Sequence, residues 1–220
     1  MHIVVNSTSK YINANSSAIS GVITDGGKFK WDTEKYPGMK DFKKFGPFAY
    51  TAKLRNGLFR NTGACLSPQN AFYNSIGMET LGLRMERVCD NAKTLAQFFA
   101  TEYSDIEVNY PGLAGSKWHN IATEQFGDKF GGIITIRTGN KKRAFGIIDA
   151  LKLPLIVSNI GDTKTLVIHP ESTLNVHSTQ EEKETAGVFD DLIRISVGIE
   201  DIDDLIDDFK QAIESVKDVY

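Results

Sequence analysis

The chain has 220 residues, with 25 Lys and Arg against 28 Asp and Glu, a formal net charge of −3. That balance excludes a cationic field for nonspecific nucleic-acid binding. Apolar residues make up 41% and charged residues 24%, which excludes wholesale disorder, and two cysteines, Cys65 and Cys89, exclude a disulfide scaffold or a four-cysteine zinc site.

In chain order, Ile3-Val4-Val5 reads as a buried, parallel-type strand that lacks an upstream neighbour. Ile19-Ser20-Gly21-Val22-Ile23 reads as a second strand, ended by the turn Asp25-Gly26-Gly27. Residues 26–62 are rich in Gly, Lys and aromatics with weak periodicity, which predicts irregular structure with short helices. Ser67-Pro68 is a helix-opening pair, Ser as N-cap and Pro at the first helical position. Val88, Ala92, Leu95, Ala96 and Phe99 share one face, predicting a helix over roughly 84–99. Gly131 to Ile136, Leu166 to Ile168 and Ile193 to Val197 read as strands; the last alternates three apolar residues with Arg194 and Ser196. A final amphipathic helix carries Ile202, Leu205, Ile206, Phe209, Ile213 and Val216 on one stripe. Its acidic start, Glu200 to Asp204, suits the helix dipole. The expectation is an α/β chain divided near residue 100.

Few residues offer chemistry. No run approaches the ~20 apolar residues of a membrane span. The first residues also lack the basic start and apolar stretch of a secretory leader. A reducing, cytoplasmic setting is therefore expected, with neither nucleic acid nor membrane as partner. Lys10 follows a strand and is flanked by Ser7, Thr8 and Ser9. It suits either a Schiff-base lysine with hydroxyls for a cofactor phosphate, or a solvated surface lysine. Arg194 suits either a two-pronged carboxylate clamp or a salt bridge on an exposed sheet face. The four histidines lack metal-site spacing and read as structural or surface residues, and both cysteines read as small buried hydrophobes. The aspartates at 201–208 read as a solvated helix start, without the glycine-centred pattern of a calcium loop.

An ordered series of segments then sharpens the reading. Ser7-Thr8-Ser9-Lys10-Tyr11-Ile12 comes first, followed by Leu66 to Phe72 and Gly77-Met78-Glu79-Thr80-Leu81. Leu83-Arg84-Met85-Glu86-Arg87, Asn91-Ala92, Tyr110-Pro111-Gly112-Leu113 and Phe130-Gly131-Gly132 continue it. Leu166 to Pro170 and Arg194 to Glu200 complete it. Together these resemble the C-terminal half of the Cys/Met-metabolism family of pyridoxal 5'-phosphate (PLP) enzymes, in its O-acetylhomoserine sulfhydrylase branch. Gly26 to Trp31 and Asn159-Ile160-Gly161-Asp162 favour that branch over its lyase relatives.

The resemblance implies the fold: the tail of an aspartate-aminotransferase-like, fold type I large domain over 1–100, including the interdomain helix. A small α/β domain with a mostly antiparallel sheet would follow over 101–220. It also implies roles. Lys10 would hold PLP covalently and then move the substrate's α-proton; Ser7 and Ser9 would bind the cofactor phosphate. Arg194, with Asn159 beside it, would clamp the substrate α-carboxylate. The implied reaction replaces the acetate of O-acetylhomoserine with sulfide, giving homocysteine, in a homo-oligomer. The chain departs from the pattern in places. Ser9 stands where Thr is usual, Asn175 and Val88 stand where His is common, and the stretch from Tyr36 to Tyr50 is shortened. Asn13-Ala14-Asn15-Ser16 replaces a turn containing Gly and His, whose backbone Ala14 and Ser16 adopt less easily. Family chains are about twice as long. The Gly-rich phosphate turn, the ring-stacking Tyr and the Asp for the pyridine nitrogen are not among these 220 residues. A truncated, catalytically inert product, or one half of a split enzyme needing a separately encoded N-terminal half, are therefore the alternatives.

Overall fold

The structure is a computed structural model and describes residues 2–217. Its contacts group the chain into two compact units, one up to Gly77 and one from Met78 onward.

The first unit begins with β1 (Ile3–Ser7), which pairs antiparallel with β2 (Gly21–Asp25), Ile3 opposite Asp25 and Ser7 opposite Gly21. The expected buried parallel strand is thus corrected to one arm of a two-stranded ribbon, with Val5 70% exposed. Three consecutive apolar residues do not by themselves reveal which face is covered. A helical run from Pro37 to Thr62 follows, mixing 3₁₀ and π turns with α1 (Ala49–Leu54) and α2 (Arg60–Thr62). Aromatic rings tie it to the segment after the ribbon: Trp31 stacks on Tyr50 with centroids 5.8 Å apart, and Phe29 meets Trp31 edge-on at 4.6 Å. Helix α3 (Pro68–Glu79) starts as its sequence predicts, with the Ser67 hydroxyl accepting from the Asn70 amide at 3.2 Å. Cys65, expected inside, is exposed.

The second unit is a five-stranded sheet covered on one face by helices. Helix α4 (Leu81–Glu102) contains the predicted helix and extends it at both ends. The strands are β3 (Glu107–Asn109), β4 (Ile133–Arg137), β5 (Leu155–Ile156), β6 (Leu166–Ile168) and β7 (Leu192–Ser196). They lie in the order β3-β4-β7-β6-β5, antiparallel except for β5 with β6. Helix α5 (His119–Phe126) lies between β3 and β4 in sequence, and α6 (Lys141–Ala150) between β4 and β5. Helix α7 (Gln180–Thr185) precedes β7, and α8 (Ile202–Ser215) closes the unit.

Strand alternation sends Ile134, Ile136, Val167, Ile193 and Ile195 to one face, all of them fully buried. Ala92, Leu95, Ala96 and Phe99 of α4, Ala144 and Ile147 of α6, and Leu205, Phe209 and Ile213 of α8 close over them. Phe99 meets Phe209 edge-on at 5.2 Å. Asp201 caps α8 by accepting from the Asp203 amide. Asp208, expected to be solvated, is instead buried and accepts from the Lys152 and Leu153 amides, both at 2.9 Å. The turn after β7 is pinned in turn: Glu200 accepts from the Thr165 amide and hydroxyl, and the Asn91 amide donates to the Gly198 and Glu200 carbonyls. A Cβ on Gly198 would fall 2.4 Å from the Thr163 carbonyl, so this turn admits only glycine without moving.

Candidate active-site residues

Ser7 ends β1, and Thr8, Ser9 and Lys10 form the turn that follows. The turn is set by backbone bonds: the Thr8 amide donates to Ser20, and the Asn13 amide to both Thr8 and Lys10 carbonyls. Lys10 is half-buried. Ser7 is exposed, and among the described residues its hydroxyl makes no hydrogen bond, so it is available to a phosphate. Ser9 differs. Its hydroxyl accepts from the Ser20 amide at 2.9 Å and donates to the Ser20 carbonyl at 3.2 Å. A hydroxyl has one proton to donate, so Ser9 would have to release Ser20 to serve a phosphate.

The turn beyond Lys10 carries backbone strain. Ala14 has φ 81° and Ser16 φ 58°, the left-handed region that costs an ordinary L-residue about 1–2 kcal/mol. This is where the resemblance implies glycine.

What holds the turn is a face of α3 that the sequence reading did not single out. Asn70, Asn74 and Gly77 recur at helical spacing, and that spacing of small polar residues was the available signal. The Asn70 amide donates to the Ile19 carbonyl at 3.2 Å. Asn74 reaches Thr8, Asn13 and Ser20. Gly77 brings the helix so close that a Cβ would sit 2.2 Å from the Ile12 carbonyl.

Arg194 lies in the middle of β7, opposite Thr135 of β4 and Ile168 of β6. Its neighbours Ile193 and Ile195 fill the core, so the guanidinium stands on the opposite face of the sheet, where its cross-strand neighbour Ile168 is also buried. It is half-buried, and burial pushes its pKa below the ordinary guanidinium value. Nη2 donates to the Asn159 carbonyl at 3.2 Å, which puts Asn159 and Arg194 together. Among the described residues no carboxylate pairs with it.

Arg137 on β4 shows the contrast. Its Nε meets Asp191 at 2.9 Å, Nη1 lies 3.6 Å from Glu107, and the guanidinium covers the Phe189 ring at 4.1 Å. Asp191 holds its pKa above the usual value. Arg137 is thus the structural ion pair, whereas Arg194 is a partly desolvated cation with a neutral partner, a donor set suited to an incoming carboxylate. A cavity of about 1010 Å³ is lined by Asn109, Trp118, Thr135, Arg137 and Phe189 among others. It includes none of the five expected site residues.

His169 and Cys89 serve structure. His169 is buried, with Nδ1 on the Ser172 hydroxyl and Nε2 on the Asp190 carbonyl, each under 3 Å. Cys89 is buried, which pushes its thiol pKa up.

Comparison with known proteins decides the kinship. Residues 1–214 match the family described as Cys/Met metabolism PLP-dependent enzyme. The chain belongs to this family. It is 37% identical over 225 residues to the sulfhydrylase FUB7 of Fusarium oxysporum f. sp. lycopersici, covering 96% of this chain and 52% of the relative. It is 38% identical over 231 residues to the O-acetyl-L-homoserine sulfhydrylase of Corynebacterium glutamicum, covering 97% and 52%. A solved Campylobacter jejuni structure, described as an O-acetylhomoserine (thiol)-lyase with N'-pyridoxyl-lysine-5'-monophosphate, superposes with a TM-score of 0.88 at 32% identity. That match covers 97% of this chain and 54% of that one. The chain therefore spans about half the length of the relatives it matches. The α/β architecture with its mostly antiparallel second sheet is that of a C-terminal portion of these PLP-dependent enzymes.

Against that family's cofactor, the amine of Lys10 and the hydroxyl of Ser7 fit a covalently held, phosphorylated aldehyde.

Proposed function

We propose that this chain contributes the cofactor lysine and the carboxylate clamp of a PLP-dependent O-acetylhomoserine sulfhydrylase. In the overall reaction the carbon–oxygen bond to acetate breaks, acetate departs with the bonding pair, and sulfide forms the new carbon–sulfur bond of homocysteine. Bound PLP supplies an electron sink for the carbon that loses its proton. Lys10 would hold the cofactor and would move that α-proton. Ser7 offers its hydroxyl to the phosphate. Arg194 grips the substrate α-carboxylate and Asn159 fixes the guanidinium through its carbonyl. In this reading residues 1–100 are the remainder of the cofactor-binding large domain and 101–220 the small domain, in a cytoplasmic homo-oligomer.

One observation carries the reading: Arg194 is half-buried on the sheet face opposite Ile193 and Ile195, and its partner is a carbonyl, not a carboxylate. A buried cation left in that state is costly unless an anion arrives. Adding PLP to the purified chain and recording visible absorbance tests the cofactor role. A band that Lys10→Ala abolishes supports it, and a band that survives Lys10→Ala refutes it. Arg194→Met should keep the band while weakening binding of the amino-acid substrate roughly 10- to 100-fold, the weight of a charge-assisted hydrogen bond. Loss of the band in that variant would refute the clamp.

A second reading has its own support. Val5, Ile19 and Val22 of the ribbon region are 70%, 88% and 40% exposed. A separate polypeptide carrying the other half would cover such a face. If the band and sulfide-dependent acetate release arise only after that polypeptide is added, the chain is one part of a two-part enzyme. If neither arises even then, it is an inert fragment.

A further inference from the structure

Resting on the cofactor role of Lys10 just proposed, we infer that Asn74 is the positioning residue that fixes the Lys10 turn for covalent cofactor attachment. Four observations converge on it. Asn74 sits on α3, more than fifty residues from the turn, yet the residue is only 8% exposed. Its amide nitrogen donates to the Ser20 hydroxyl at 2.9 Å and to the Thr8 hydroxyl at 3.4 Å. Its oxygen accepts from the Ser20 hydroxyl at 3.2 Å and from the Asn13 amide at 3.4 Å. The Thr8 hydroxyl donates to that of Ser20 at 2.6 Å, and Asn13 accepts from the Ser17 amide at 2.7 Å.

Donors and acceptors balance in this set. Thr8 gives its proton to Ser20 and receives from Asn74. Ser20 gives its proton to Asn74 and receives from both. Asn13 gives to Asn74 and receives from Ser17. A satisfied buried network of this kind fixes geometry more than it adds stability. Its members bracket Lys10 in sequence, with Thr8 two residues before and Asn13 three after. Thr8 and Asn13 are themselves only 5% and 3% exposed.

The turn needs such a clamp. Strained backbone persists only where its surroundings over-determine it, and Ala14 and Ser16 both hold positive φ just past Asn13. Helix α3 supplies the constraint at two heights, through Asn74 to the network and through Gly77 to the Ile12 and Asn13 backbone. A lysine can accept an aldehyde efficiently only if its amine is held where the aldehyde's other anchors place it. Asn74 acts through Thr8, Ser20 and Asn13, the groups its side chain bonds.

The test is site-selective labelling. The full chain is treated with pyridoxal phosphate and cyanoborohydride, and adduct at each lysine is quantified by mass spectrometry. The parent should favour Lys10 over exposed Lys28 and Lys30. Asn74→Ala should cut that preference about fivefold or more, the weight of one net hydrogen bond. Thr8→Val should do the same, and the double variant should lose little more. Met39→Ala, which empties a buried apolar site in the same unit, should lower the thermal midpoint but leave the Lys10 preference intact. If the parent shows no preference for Lys10, the cofactor role falls and this inference with it. A retained preference in Asn74→Ala, or an equal loss in Met39→Ala, overturns the positioning role alone.

Discussion

Gly77→Ala probes the closest approach in the first unit. The added Cβ would lie 2.2 Å from the Ile12 carbonyl oxygen and 2.9 Å from two backbone atoms of Asn13. Van der Waals contact needs more than 3 Å, so helix and turn must part by about 1 Å; overpacking of this kind costs typically about 1–3 kcal/mol. The Asn74 bonds to Thr8 and Asn13 are already 3.4 Å long, so the same movement breaks both. Each lost buried bond adds roughly 1 kcal/mol, for a total of about 3–5 kcal/mol. The assay is urea unfolding followed by Trp31 fluorescence in a Trp118→Phe background, since these are the only two tryptophans and Trp118 lies in the second unit. The Trp31 transition should move to distinctly lower urea at unchanged slope. A midpoint equal to the parent's would show that α3 does not brace the turn, and the argument for Asn74 would weaken with it.

Other outcomes follow from separate features. Ala14→Gly removes a strained positive φ of 81° and should stabilise the first unit by up to about 1 kcal/mol after the glycine's unfolded-state entropy is deducted, read as a higher urea midpoint. Glu171 accepts from Lys141 and Lys183, and those bonds lower its pKa from 4.5 to about 2. A depressed carboxylate pKa contributes stability that is present above 4.5 and lost as pH falls towards 2. Glu171→Gln should therefore flatten the acid limb of a melting-temperature profile in that window while changing its dependence near neutrality little. Asp208→Ala strips the Lys152 and Leu153 amides of their acceptor and should cost roughly 2–3 kcal/mol in chemical denaturation, more than Asp204→Ala on the exposed side of the same helix.

How much of this was legible in the sequence depends on whether the deciding contact is local. Helix α8 was legible because a wide apolar stripe, an Asp cap and an acidic first turn agree with one another. β7 was legible because alternation fixes both the strand and its faces, and with them the direction of Arg194. Helices α6 and α7 have no counterpart in the reading, although Asn140 caps the first and Thr179 with Glu182 forms a capping box on the second. Short helices with weak apolar stripes give periodicity little to register. β1 was misjudged because burial of Ile3 to Val5 depends on what covers the ribbon, which no local pattern encodes. The lysine segment itself was visible through resemblance. The network behind it was not, because the bonds by which Asn74 completes it join residues 54 to 66 positions apart. The strain at Ala14 and Ser16 was foreseeable from residue type, since glycine alone adopts that backbone freely.

The alternation of β7 has a further consequence. Strand side chains reverse direction with every residue, so a slip of one position would point Arg194 into the apolar core and turn Ile193 and Ile195 out of it. The isoleucines therefore act as a register lock for the guanidinium: lengthening or shortening the Phe189–Asp191 approach to the strand meets a hydrophobic penalty before it can re-aim the charge. The direction of the guanidinium is thereby tied to core packing rather than to the length of the loop that leads into the strand.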